Sequence, residues 1–300
     1  MTKTPYAGWP NCVKLTNGKI EIVITTDIGP RVIFCGFCGE ENLFWNDPAT
    51  LGATGGDEWT LYGGHRLWHS PEIKPRTYSP DNTPIKVSQE GDFLRTIQPI
   101  EQTTGIQKEM DIRVMPDENG VEIIHRLRNA GPWDIELAAW SLSVMAPGGV
   151  GICPQPSSFD PQELLPNRAM ILWPYTKMSD PRMTWGDQFL LMRQDAKRDE
   201  RLKFGINNDD GWLGYLRNNY LFLKTFEYAD EGEYPDGGCS IEMFTNSDML
   251  EVETLSPLTM LAPGDELEHV ENWFLFRGVK CDGTEKSVEK LILPLVDSVI

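Results

Sequence analysis

Histidine is scarce in this 300-residue chain, with four in all, and its six cysteines are spread thinly from position 12 to position 281. Positive charge is in deficit: 27 lysines and arginines stand against 45 aspartates and glutamates, a formal net charge of -18. No Lys/Arg run offsets that balance locally, so neither nucleic acid nor an anionic membrane is an expected partner. Apolar runs fall well short of the roughly 20 residues a spanning helix needs. The opening Met1-Thr2-Lys3-Thr4-Pro5-Tyr6 has no apolar signal-peptide region, and a cytoplasmic location is the expectation. Cysteines this sparse, lying mostly in strand-like runs, do not make a disulfide scaffold and are read as reduced. Cys35 and Cys38 have redox or zinc spacing, but in an extended strand they face opposite sides roughly 10 Å apart. No second Cys pair completes a zinc site, and neither a metal nor a cofactor is expected.

Helical periodicity is also nearly absent; strand and turn signals fill the chain instead. Asn17-Gly18 between Cys12–Thr16 and Lys19–Thr25 is a hairpin signature, with Ile20, Ile22 and Ile24 alternating onto one face. Runs at 106–114, 121–127, 135–145, 220–228, 249–255 and 267–276 repeat the period-two pattern. From Cys153 to Asp187 periodicity lapses into Pro-, Trp- and Met-rich sequence, read as long ordered loops. A helix is expected only near the C-terminus, with a capping box of Asp282 and Glu285, apolar Val288, Leu291, Ile292 and Leu295, and Pro294 as its end. A 40% hydrophobic content supports a sizeable core, and the reading is one all-β sandwich domain over residues 1–300.

Two of the four histidines fall in Tyr62-Gly63-Gly64-His65-Arg66-Leu67-Trp68-His69-Ser70-Pro71-Glu72, beside an arginine, aromatic rings and a carboxylate. The Gly pair reads as a place where backbone approaches a ligand. This chemistry suits a sugar, with flat rings for C–H faces and charged groups for hydroxyls. Alternation puts His65 and His69 on one side of an extended segment and Arg66 and Trp68 on the other. A zinc reading at this spacing is set aside, because the Gly pair and Pro71 oppose a helix. Lys108 and Lys224 interrupt apolar or aromatic faces, from which a lysine either snorkels or projects into a polar groove. Trp68, Trp140 and Trp185 are candidate stacking platforms, and the stretch from Asp180 to Asp187 is a candidate loop contact. His125 and His269 read as strand histidines with structural partners.

In their order, four pieces resemble the galactose mutarotase-like (aldose 1-epimerase) superfamily. They are Val13 to Arg31 with its Gly-Pro-Arg turn, Asn42-Leu43-Phe44-Trp45 followed by Tyr62 to Trp68, Met249 to Pro257, and Leu261 to Trp273. The resemblance implies a galactose mutarotase-like β-supersandwich with a sugar or oligosaccharide as ligand. It also implies proton exchange at the anomeric carbon of a hexose or uronic acid by a glutamate and a histidine. The glutamate carries over onto Glu253, with Glu251 about 7 Å away on the same face as fallback. The family's mid-chain histidine has no counterpart in Leu137-Ala138-Ala139-Trp140-Ser141, so the acid would be His65 or His69. Arg31, Arg66, Trp68, Glu72, Lys108, Trp140, Lys224 and Glu251 complete the expected groove. Sugar binding without turnover, or a lyase or hydrolase on the same architecture, are the alternatives.

Overall fold

The computed structural model describes residues 1–156, 162 and 164–300. Within these residues two antiparallel sheets lie face to face. The first has eleven strands, running Thr2–Tyr6, Trp9–Thr16, Ile20–Thr25, Arg31–Phe37, His65–Ser70, Ile135–Met145, Leu250–Leu255, Ile241–Thr245, Leu202–Ile206 and Met170–Leu172 from edge to edge. Its eleventh strand, Thr259–Leu261, pairs with the start of Ile135–Met145. The second sheet has ten, in the order Met183–Trp185, Phe189–Arg193, Val150–Pro154, Trp212–Arg217, Tyr220–Phe226, Glu266–Arg277, Gly120–Asn129, Ile106–Val114, Phe93–Ile97 and Lys86–Glu90. No helix is long and apolar enough to cross a membrane among the described residues.

The pleat builds the core. Ile20, Ile22 and Ile24 enter it from the first sheet, and Met110, Ile112, Ile123, Phe222 and Trp273 meet them from the second. At the tip of the first hairpin the Asn17 side-chain oxygen accepts the amides of Lys19 and Ile20, and Gly18 takes φ 85°. Cys35 is buried in the strand Arg31–Phe37, and Cys38, expected on the same strand, is exposed in the turn just after it; both are free thiols.

Two local expectations need correction. Gly63 and Gly64 do not bring backbone to a ligand. A Cβ on Gly63 would collide with the Trp45 carbonyl, and one on Gly64 with the Val32 carbonyl. The pair sits at φ 85° and 69° and lets the chain enter the middle of the sheet against its neighbours' backbone. At the C-terminus, helix Glu285–Leu291 is capped by Thr284, whose side chain accepts the Ser287 amide, and not by an Asp282–Glu285 box. The Glu285 carboxylate instead accepts the amides of Gln188 and Phe189, tying the helix to the second sheet. Pro294 lies in the first turn of a second short helix, Leu293–Val296. Val288, Ile292 and Val296 pack on Phe189, Trp212 and Leu221 of the second sheet's outer face.

Gly63→Ala and Gly64→Ala are each expected to lower stability by about 1–3 kcal/mol or more, through steric collision and a strained positive φ. Urea denaturation midpoints measure this. Gly18→Ala, with a similar φ but open space around it, should cost less.

Candidate functional site

Alternation divides the central strand His65–Ser70 between two compartments. Arg66 and Trp68 point away from the sandwich, opposite Leu142 and Trp140 of the neighbouring strand, and Glu251 and Glu253 share that face one strand further on. Above them lies a cavity of about 190 Å³, lined from the sheet by Arg66, Trp68, Trp140 and Glu251 and from the loops by Trp59, Glu72, Tyr78 and Tyr175. The Trp68 ring centre is 5.0 Å from that of Trp59, 5.1 Å from Tyr78 and 5.4 Å from Trp140, all in tilted, edge-on contact. The Arg66 guanidinium stacks 4.5 Å from the Trp68 ring centre, and its Nη2 lies 3.0 Å from Glu251 Oε1. Its Nε and Nη1 and the Trp68 indole N–H have no protein acceptor among the described residues, although both side chains are buried. Such donors are what a bound polar ligand would satisfy.

Just beneath the cavity floor is a layer of buried charge. Glu253, 0% exposed, accepts hydrogen bonds from Trp140 Nε1 at 2.8 Å and Lys203 Nζ at 3.1 Å. Lys203, which itself lines the cavity, also approaches Glu242 Oε2 at 2.6 Å, with its ammonium 4.6 Å from the ring centres of both Trp140 and Trp173. Burial alone would lower the Lys203 pKa, but Glu242 and Glu253 outweigh it and the ammonium is held charged. Burial pushes the Glu242 carboxyl well up, against the pull of Lys203, and pushes the Glu251 carboxyl up against that of Arg66.

The other compartment is the sandwich interior. His125 Nδ1 faces the His269 carbonyl at 2.9 Å, so that nitrogen carries the proton. Its neutral ring then accepts at Nε2 from His65 Nε2, 2.7 Å away, and His65 Nδ1 accepts from Ser143 Oγ at 2.9 Å. Beside this relay Glu271 accepts from Lys224 Nζ at 2.7 Å, Thr254 Oγ1 at 2.6 Å, Trp273 Nε1 at 2.8 Å and the Ser141 hydroxyl. One ligand atom each from His65, His125 and Glu271 lie within 4.8 Å of one another, close enough to consider a metal. The carboxylate is already saturated with donors, however, and a cation would have to displace Lys224, so the donor set serves the ion pair.

No family model and no curated protein sequence matches the chain. Solved structures do. A candidate aldose 1-epimerase from Escherichia coli K12 superposes with a TM-score of 0.56 at 10% identity, covering 89% of this chain and 99% of its own. A galactose mutarotase-like protein from Lactobacillus casei ATCC 334 gives 0.56 at 11%, covering 89% and 100%. A candidate mutarotase from Salmonella typhimurium gives 0.59 at 11%, covering 89% and 90%. The fold is galactose mutarotase-like.

On this mutarotase-like scaffold the sequence-predicted residues do not converge on one pocket. Arg66, Trp68, Glu72, Trp140 and Glu251 line the cavity, and Glu253 lies directly behind it. His65 and His69 face the interior, because the pleat that turns Arg66 and Trp68 outward must turn them inward, and the sheet separates both from Glu253. His69 lies 3.6 Å from Glu101, whose other oxygen pairs with Lys108 at 2.7 Å, and Lys224 pairs with Glu271; both lysines project inward from the second sheet. Arg31 is on the outward side but 0% exposed, bound to Asp81 at 2.6 Å and to the Gly63 carbonyl, where it secures the loop that also carries Tyr78. Trp185 packs on Phe204, and Arg182 is tied to Asp180 and the Glu200 carbonyl. Part of the loop stretch expected at 153–187, residues 157–161 and 163, lies outside the described residues, while Tyr175 from the same stretch does line the cavity. Lys203 and Glu242 went unremarked in the sequence. Each interrupts an apolar run, Leu202 to Ile206 and Ile241 to Phe244, which is the signal that singled out Lys108 and Lys224.

The interior network makes the protein acid-sensitive. Burial lowers the pKa of His65, His125 and His269, the last to about 3. The unfolded chain therefore binds protons below about pH 6.5 that the folded one refuses, and stability is lost as pH falls, by up to about 1.4 kcal/mol per pH unit per histidine. Glu271, whose carboxyl burial pushes up, is nonetheless held well below the usual carboxylate range by Lys224, and adds to the loss below about pH 4.5. Urea midpoints should fall between pH 7 and pH 5, and less steeply in His269→Gln.

Proposed function

We propose that the outward cavity binds a single sugar ring and that the protein exchanges the anomers of that sugar, a hexose or uronic acid, with Glu251 as the proton acceptor. The observation that carries the reading is an aromatic cage closed around unpartnered Arg66 donors and one cavity-facing carboxyl whose pKa is raised. At about 190 Å³ the cavity is below the ~300–1,000 Å³ of drug-sized ligand sites, which favours a monosaccharide over an oligosaccharide and weighs against a lyase or hydrolase. Trp68 and Trp140 suit the C–H face of a pyranose, while Arg66, Glu251 and Glu72 suit its hydroxyls.

Anomer exchange needs a base at the anomeric hydroxyl and an acid at the ring oxygen, so that the bond between C1 and the ring oxygen can break and re-form. Glu251 is the base that the cavity offers, and its raised pKa moves it toward the working pH. Tyr175 lines the same space, and burial pushes its hydroxyl up to about 12, so at neutral pH it carries a proton to donate. The names of the superposed proteins, aldose 1-epimerase and mutarotase, agree with this reaction class. A second reading, sugar binding without turnover, is favoured by one observation: among the described residues no histidine lines the cavity.

NMR saturation transfer over a panel of aldoses and uronic acids separates the two. The expected result is accelerated anomer exchange for at least one sugar, reduced about 10²–10⁴-fold in Glu251→Gln with binding retained. Binding with no acceleration for any sugar would establish the second reading in its place, and no binding at all would defeat both.

A further inference from the structure

Three carboxyls and two cations are packed together at and under the cavity floor. Arg66 pairs with Glu251 at 3.0 Å, and Lys203 lies between Glu242 at 2.6 Å and Glu253 at 3.1 Å. Glu242 and Glu253 are direct cross-strand partners on one face, both 0% exposed, and Oε1 of each has no hydrogen-bond partner among the described residues. Like charges directly opposite on adjacent strands repel, and out of water they do not both ionise at short range. Among the described residues the surroundings do not supply the missing cation. Asp236, from the turn beside Glu242, adds negative charge and is bound by Ser70 Oγ at 3.2 Å, and the Cys239 thiol stays neutral because burial pushes its pKa up. On the cavity side the lining charges Arg201 and Glu72 match in number, Arg201 lying over the Tyr175 ring and Glu72 accepting from the Tyr78 hydroxyl, and Tyr78 and Tyr175 are neutral, their hydroxyl pKa values raised by burial.

We propose that Glu242 and Glu253 share a single proton, carried at neutral pH by Glu242, and that Glu242 is thereby a positioning residue that leaves Glu251 ionised toward the ligand. Of the three carboxyls, Glu242 is the natural seat. Glu253 keeps two hydrogen bonds that stabilise its anion, from Trp140 and Lys203, and Glu251 keeps Arg66. Were Glu242 ionised instead, the surplus negative charge would fall on the remaining pairs, and the proton would move to the carboxyl nearest solvent, Glu251, which would then be no base. Trp140 and Trp173 flank Lys203 and leave it 5% exposed, at the edge of the cavity. The consequence for Glu251 rests on the proposed function; the location of the proton does not.

Carboxyl-selective ¹³C NMR of the full chain labelled at glutamate tests the placement directly. One glutamate should remain protonated at pH 7 and its signal should vanish in Glu242→Gln; titration of every glutamate below pH 5 would overturn the proposal without needing any variant to fold. A second reading uses linkage. Because the folded wild type holds a proton that the unfolded chain releases above about pH 4.5, Glu242 contributes a loss of stability as pH rises; Glu242→Gln lacks that contribution, while both proteins share the opposite one from the buried histidines. The ratio of the variant's folding constant to the wild type's should therefore grow by up to tenfold per pH unit above pH 5. A ratio independent of pH contradicts the assignment. In anomer exchange, Glu242→Gln should keep the wild-type acid limb of the pH profile; a downward shift of about one unit would mean that Glu242 is ionised in the wild type. If no sugar is turned over but the protonated carboxyl is seen, the proposed function fails and the proton assignment stands.

Discussion

The pleat of the strand His65–Ser70 assigns each of its side chains to one of two compartments that never meet. Because it lies at the centre of the larger sheet, paired on one side with Arg31–Phe37 and on the other with Ile135–Met145, it cannot rotate or slip by one residue without exchanging core for surface along its length. Arg66 and Trp68 are committed to the cavity, His65 and His69 to the interior. Gly63 and Gly64 are the local condition for this, since only residues without a Cβ let the chain reach that register against the Trp45 and Val32 backbones.

Both compartments then face the same electrostatic problem, carboxylates removed from water, and solve it differently. Inside, Glu271 is matched one to one by Lys224 and ringed by hydroxyl and indole donors, so it stays ionised while three neutral histidines are fixed in defined tautomers around it. Loss of one partner from such a pair typically costs about 3–5 kcal/mol, because the other charge is left buried and alone. Under the cavity the numbers do not match, with three carboxyls to two cations, and the surplus is where proton chemistry can reside. An interior that is balanced stabilises; a floor that is unbalanced is suited to acid and base work.

Much of the fold was legible in the chain. The Asn17-Gly18 turn, the Ile20, Ile22, Ile24 stripe and the single C-terminal helical segment of any length follow from period-two and period-3.6 patterns and turn chemistry, and the order of four motifs pointed to the mutarotase-like architecture that the superposed structures share. The finer end details were less so. Glu285 looked like a capping residue because it follows Asp282 by three, yet its partners are amides of Gln188 and Phe189, almost a hundred residues earlier.

For the site, local spacing settled which residues share a face: Glu251 with Glu253, His65 with His69, Arg66 with Trp68. Each of these is a property of one strand and needs nothing beyond alternation. Which face looks into the sandwich and which into the cavity is a property of how the sheets stack, and it parted the histidines from Glu253 even though both belong to the same sheet. Sequence order likewise could not bring Lys203 and Glu242 to Glu253, since those contacts form across neighbouring strands. A pattern along one strand determines the relative orientation of its own side chains; only the packed sheets decide what each side meets, because burial and charge pairing depend on neighbours distant in the chain.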